Sequence, residues 1–193
     1  MTTRHTLSAL LILAATAALP VSAQTLKPGL WEMNSKMTSD DPQMAQAMEQ
    51  MQKHMANLPP EQRKQMADAM AKHGGMKLES MGAGGMQVKM CLTKESIQDA
   101  LLGNYQRGNC KHSKTPMLGN SMSYSFTCTD PVASGEGKVT FNGDTAMTAR
   151  LTLVHSPAGK KTTMTTDSTG RWLSADCGGI KPIDMKAGAA PKK

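Results

Sequence analysis

Methionine is the residue type with the most chemical potential in this chain, at 18 of 193 residues. Met44, Met48, Met51 and Met55 follow one another at spacings of four, three and four. On a helix, at about 100° per residue, they fall in a stripe about 60° wide, with His54 on its flank. Met66, Met70 and His73 repeat the pattern on a second segment. Thioethers are soft donors that suit Cu(I), so convergence of Met44, Met48, Met51, Met55, Met66, Met70 and His73 would make a copper site. The competing reading is an adaptable apolar face, because methionine is flexible and polarisable and fills irregular space. Spacing favours the second reading, since only Met48 and Met51 form a tight M-x-x-M pair. No cofactor is expected, with copper as the alternative.

Cys91, Cys110, Cys128 and Cys177 are the second reactive set. The chain has no C-x-x-C and no tight Cys/His cluster, which disfavours zinc and favours disulfides. Four cysteines allow three connectivities. Cys110 with Cys128 across a hairpin, leaving Cys91 with Cys177 around a long loop, is the favoured one. Pairing requires an oxidising compartment, and the first residues supply a route to one. Arg4 and His5 precede an apolar run from Leu7 to Leu19, and Val21-Ser22-Ala23 offers small residues for cleavage. Residues 1–23 are expected to be a signal peptide cut near Ala23, which gives a periplasmic or secreted domain over 24–186. The apolar run is shorter than the roughly 18 residues a spanning helix needs, so no transmembrane segment is expected.

Residues for catalysis are not brought together by any motif. No serine lies in a G-x-S-x-G elbow, and Glu136, Asp144, Asp167 and Asp176 are dispersed near turns. Gly82-Ala83-Gly84-Gly85 lacks the Lys-Ser/Thr of a phosphate loop. His155 shares the apolar face of its segment, where a satisfied core histidine is the ordinary outcome. The net charge of +7 is scattered, and aromatic residues do not interleave with the basic ones, so nucleic acid is not an expected partner. A non-catalytic role is favoured over an uncharacterised enzyme.

Several elements must position these residues. The core has two each of Trp, Tyr and Phe, so it is aliphatic and thioether-rich. Leu30–Met33 alternates as a strand after the Pro28-Gly29 turn. Asp41 can cap a helix that Pro42 opens, and Pro59-Pro60 separates it from a second one that ends at Gly74-Gly75. Residues 42–73 therefore form an expected Met-rich helical hairpin, and 74–86 an expected Gly/Met-rich connector. A strand at 87–92 and a short helix at 94–102, capped by Thr93 and stopped by Gly103, come next. Further strands are expected at 110–115, 121–128, 138–141, 145–153, 161–166 and 171–174. Asn142-Gly143, Ser156–Gly159 and Ser168-Thr169-Gly170 mark the turns. Ala187 to Lys193 has the composition of a disordered basic tail.

The opening Pro28-Gly29-Leu30-Trp31-Glu32 is the most specific motif. With it go Leu58-Pro59-Pro60-Glu61-Gln62-Arg63 and its flanking methionines, Cys91-Leu92-Thr93 before the acidic Glu95, and the later cysteines with glycine-containing strands between them. On these residues the chain resembles a bacterial secreted family, domain of unknown function 3617. The resemblance covers nearly all of the mature chain and implies a small exported β-rich domain. It carries over no catalytic residue.

The expected fold is α+β: an antiparallel meander of about seven strands, one face covered, with a Met-rich helical hairpin insertion and one short helix. The expected role is binding of an apolar ligand, a lipid or an envelope protein through the methionine-lined hairpin. Copper binding and catalysis are the alternatives.

Overall fold

The computed structural model describes residues 26–82, 84–102, 109–156 and 160–183, without the side chains of residues 70–74, 101 and 102. The expected signal peptide and its cut at Ala23, the stop at Gly103, the turn at Pro157-Ala158-Gly159 and the tail from Ala187 lie outside the described residues.

Eight strands make one sheet in which every strand pairing is antiparallel. They are β1 (Gly29–Ser39), β2 (Met76–Gly82), β3 (Gly85–Leu92), β4 (Cys110–Lys114), β5 (Ser121–Thr129), β6 (Val132–Phe141), β7 (Ala146–His155) and β8 (Thr162–Ser174). Their order across the sheet is β2-β3-β1-β8-β7-β6-β5-β4. Strands β4 to β8 form a meander, as short polar turns between alternating segments require. The N-terminal β1 then pairs on the free side of β8, and the β2–β3 hairpin extends the sheet beyond β1. Helices α1 (Pro42–Ala56) and α2 (Pro60–Gly74) connect β1 to β2, and α3 (Lys94–Leu102) follows β3.

The α+β class and the antiparallel sheet agree with the residue pattern, but four details differ. Most of the segment expected as a connector over 74–86 is strand β2 and the turn into β3. Its glycines sit where the chain turns, Gly75 as the left-handed cap of α2 and Gly85 at φ +109°. A bulge at Glu79 lets Leu78 and Met81 face the same side, which hides the alternation from sequence. Strand β1 runs on to Ser39, well past Met33. Strand β6 starts at Val132, not Lys138, because Gly135 and Gly137 are strand residues roofed by rings from β5. A Cβ at Gly135 would meet Phe126 at 2.4 Å, and one at Gly137 would meet Tyr124 at 2.4 Å. Finally, Ser168-Thr169-Gly170 is no turn: β8 passes straight through it, with Gly170 lying beneath the Met33 sulfur and Met147.

The two helices before β2 also depart from expectation. Asp41 caps α1, its Oδ1 accepting from the Gln43 and Met44 amides at 2.9 and 3.4 Å, and Lys160 pairs with the same carboxylate. Among the described residues α1 and α2 do not pack along each other; β2 is the main neighbour of both, and α1 also touches β1. Pro59, in an extended conformation, ends the link and Pro60 opens α2. No residue of α1 is fully buried.

The buried hydrophobic cluster is small and lies at one end of the sheet. Trp31, at 0% exposure, meets Leu92 and Ile97 of α3, with Leu26, Met90, Met147, Trp172 and Ile183 packed around them. Helix α3 is held in place by a reciprocal cap in which the Ser96 amide donates to Thr93 Oγ1 and the Thr93 amide to Ser96 Oγ.

Candidate functional site

The Pro-Gly-Leu-Trp-Glu motif does structural chemistry. Gly29 has φ +132°, and a Cβ there would lie 2.2 Å from the Ser174 carbonyl oxygen, so only glycine allows β1 to begin this close to β8. The Trp31 indole donates to the Lys27 carbonyl at 2.8 Å, and the Trp172 indole to that of Pro28 at 3.1 Å. Glu32 accepts from Arg171 Nε at 2.7 Å across the β1–β8 pair. That hydrogen bond holds the Glu32 carboxyl below its ordinary value, with Gln87 and Lys89 helping. The disulfide Cys91–Cys177, with an S–S distance of 2.04 Å, closes the same end and brings the Ile183 amide to the Cys91 carbonyl at 3.0 Å. Cys110–Cys128 ties β4 to β5. No described cysteine is free.

Cross-strand register sorts the remaining side chains onto two faces. Met33, Met147, Leu151, Leu153, Val139, Met122, Tyr124, Phe126 and Met164 share the face of Trp31. This face is largely apolar from β1 to β5; beyond the Trp31 cluster Val88, Phe141 and Cys128 are buried, while Leu151, Leu153, Val139, Met122, Tyr124, Phe126 and Met164 are only half-buried. His155 ends the β7 row opposite Ala133 and Thr162. It is on the apolar face but is not a satisfied core histidine, because its buried Nε2 has no hydrogen-bond partner. The opposite face carries Thr, Ser, Lys and Arg, and an Arg150–Asp167 pair made through two hydrogen bonds of 2.7 and 3.0 Å. That pairing depresses the Asp167 carboxyl. In the sequence Asp167 reads as a dispersed surface carboxylate. Its partner is 17 residues away in the chain and adjacent only in the register of β7 and β8.

The methionines of the expected copper set are divided. Met44, Met48 and Met55 on α1 are half-buried, whereas Met51 is 58% exposed. Met66 on α2 is half-buried, and the side chains of Met70 and His73 lie outside the described residues. β2 is the main neighbour of both α1 and α2. Among the described residues there is no group of three or more His, Cys, Asp or Glu able to hold a metal ion. No helix among them is long and apolar enough to cross a membrane.

A Pseudomonas putida protein described as "Uncharacterized protein in lpd-3 5'region" is 37% identical over 132 residues, covering 67% of this chain and 87% of its own length. No solved structure matches the chain. The family described as "Protein of unknown function (DUF3617)" matches residues 26–177, which include the Trp31 corner, both disulfides and all eight strands, and the chain belongs to that family.

Proposed function

We propose that this chain is an exported, non-catalytic binding domain that takes an apolar, chain-like ligand on the half-covered face of its sheet. The observation that carries this reading is the mismatch between apolar area and cover. The apolar face spans β1 to β5, while α1 and α2 adjoin β1 and β2 and α3 closes only the Trp31 end. An apolar sheet face in a soluble domain is normally packed under a second layer, and an uncovered one marks a binding surface. The half-buried methionines of α1 supply an adaptable wall beside this face, and the unpartnered His155 Nε2 supplies one polar contact at its end. Two disulfides support an oxidising, extracytoplasmic setting.

The test is fluorescence of N-phenylnaphthylamine, a neutral apolar probe. Wild type binds it, and Leu151→Asn with Met164→Asn weakens binding about tenfold through lost apolar contact. Thr152→Asn, next in sequence but on the polar face, leaves binding unchanged. Absence of binding to wild type, or equal loss in the Thr152 variant, rejects the reading.

A further inference from the structure

We propose that the polar face of the same sheet binds a carboxylate-bearing polysaccharide along a row of charges that crosses β6, β7, β8 and β1. Register sets Lys138 opposite Arg150, Arg150 opposite Asp167, and Asp167 opposite Lys36. Three cations thus share one row with one anion. Arg150 takes both oxygens of Asp167. Among the described residues Lys138 and Lys36 are left without an ion pair or a side-chain hydrogen bond. Like charges placed directly opposite in a sheet cost stability. Other charges of this sheet are matched locally: Arg171 with Glu32, and Lys77 and Lys89 both with Glu79. In this row the cations outnumber the anions, and an anion that met Lys138 and Lys36 would complete it.

The surroundings specify what kind of anion. The row lies in a shallow groove of about 610 Å³ that is continuous with a second of about 450 Å³, both bordered by Lys138 and Arg150. Thr140, Thr148 and Thr169 flank the row on one side and Thr152 and Thr165 on the other, where Glu136 adds one carboxylate two residues from Lys138. Hydroxyls both donate and accept, which matches the hydroxyls of a sugar. The row holds no aromatic ring, so nucleobases have nothing to stack on. Asp167 demonstrates that a carboxylate lies flat against the Arg150 fork beside Lys36. Lys138 and Lys36 stand three strand spacings apart, about 14 Å, so a polymer with repeated carboxylates reaches both while a single small acid reaches one.

Oligogalacturonate titrated calorimetrically at low salt into the oxidised chain is the test. It binds wild type, neutral dextran does not, and added salt weakens the complex. The double substitution Lys36→Gln/Lys138→Gln weakens it about tenfold, as two exposed ion contacts should. A control, Lys94→Gln/Lys181→Gln, removes the same charge outside the groove from exposed positions and stays within about twofold. No binding by wild type overturns the proposal. So does equal loss in both double variants, which indicates general attraction to a basic protein. Poly-glutamate binding as tightly as oligogalacturonate also overturns it, since sugar hydroxyls would then contribute nothing.

Discussion

At the scale of single residues, the pair formed by Glu32 and Arg171 is the clearest source of pH dependence. Arg171 Nε donates to Glu32 at 2.7 Å, and the Glu32 side chain is 14% exposed against 66% for Arg171. Because the folded carboxyl is held below its ordinary value, its contribution to stability is present above the unfolded pKa of about 4.3. That contribution is lost as pH falls through the depressed folded value. Asp40 is depressed in the same direction by the Thr163 amide, Asp41 by Lys160 and Asp167 by Arg150, so contacts between β1, β8 and β7 and the cap of the first helix weaken together in acid. Wild type is therefore expected to lose melting temperature steadily below about pH 4.5. Glu32→Gln lowers stability at neutral pH and flattens the acid limb. Parallel curves from thermal melts across this range would show that the pair contributes nothing to pH dependence.

At the scale of elements, β6 shows how a strand can be concealed by its own glycines. Gly135 and Gly137 lower strand propensity, so the run is legible only from Lys138 onward. Phe126 and Tyr124 then occupy the space those glycines leave. Gly135→Ala would place a methyl group 2.4 Å from the Phe126 ring, which must lift from the sheet, at an expected cost of about 1–3 kcal/mol. Gly82→Ala, at the end of β2 with nothing within 4 Å, is expected to be neutral or slightly stabilising. Denaturant midpoints of the two variants decide the point, and equal effects would refute the roofing of β6. The same logic separates what was legible from what was not. The alternation of Met147, Ala149, Leu151 and Leu153 and the Asp41-Pro42 helix start rest on local chemistry and were readable in the sequence. β2, the full length of β8 and the placement of α1 and α2 depend on contacts between distant residues: Gly170 beneath Met33, Glu79 bulged against β3, both helices set on β2. For the same reason the charged row was not legible, since Lys36 and Lys138 are neighbours of Asp167 and Arg150 only through register.

At the scale of the whole molecule, a sheet with few fully buried side chains, one half-covered face and one polar face depends on covalent closure. The bridge Cys91–Cys177 spans 86 residues and Cys110–Cys128 spans 18. In the chain-entropy account these constrain the unfolded state by about 4.6 and about 3.2 kcal/mol respectively. The two bridges also hold different parts of the fold. Cys91 is 5% exposed, and its partner anchors the segment that brings Ile183 against Trp31, Leu92 and Ile97. Cys110 holds β4, an edge strand whose other four residues are all exposed. Replacing Cys91 and Cys177 by Ala is therefore expected to remove much of a total stability of about 5–15 kcal/mol and to speed amide exchange throughout the sheet. Replacing Cys110 and Cys128 should lower stability less and accelerate exchange mainly in β4 and the loop before β5, where local opening is already inexpensive. The two double variants, compared by denaturant unfolding and hydrogen exchange, separate global from local closure. If the long bridge is the decisive one, folding is tied to an oxidising compartment. Equal losses from both variants would mean that the Trp31 cluster holds this end of the sheet without covalent help.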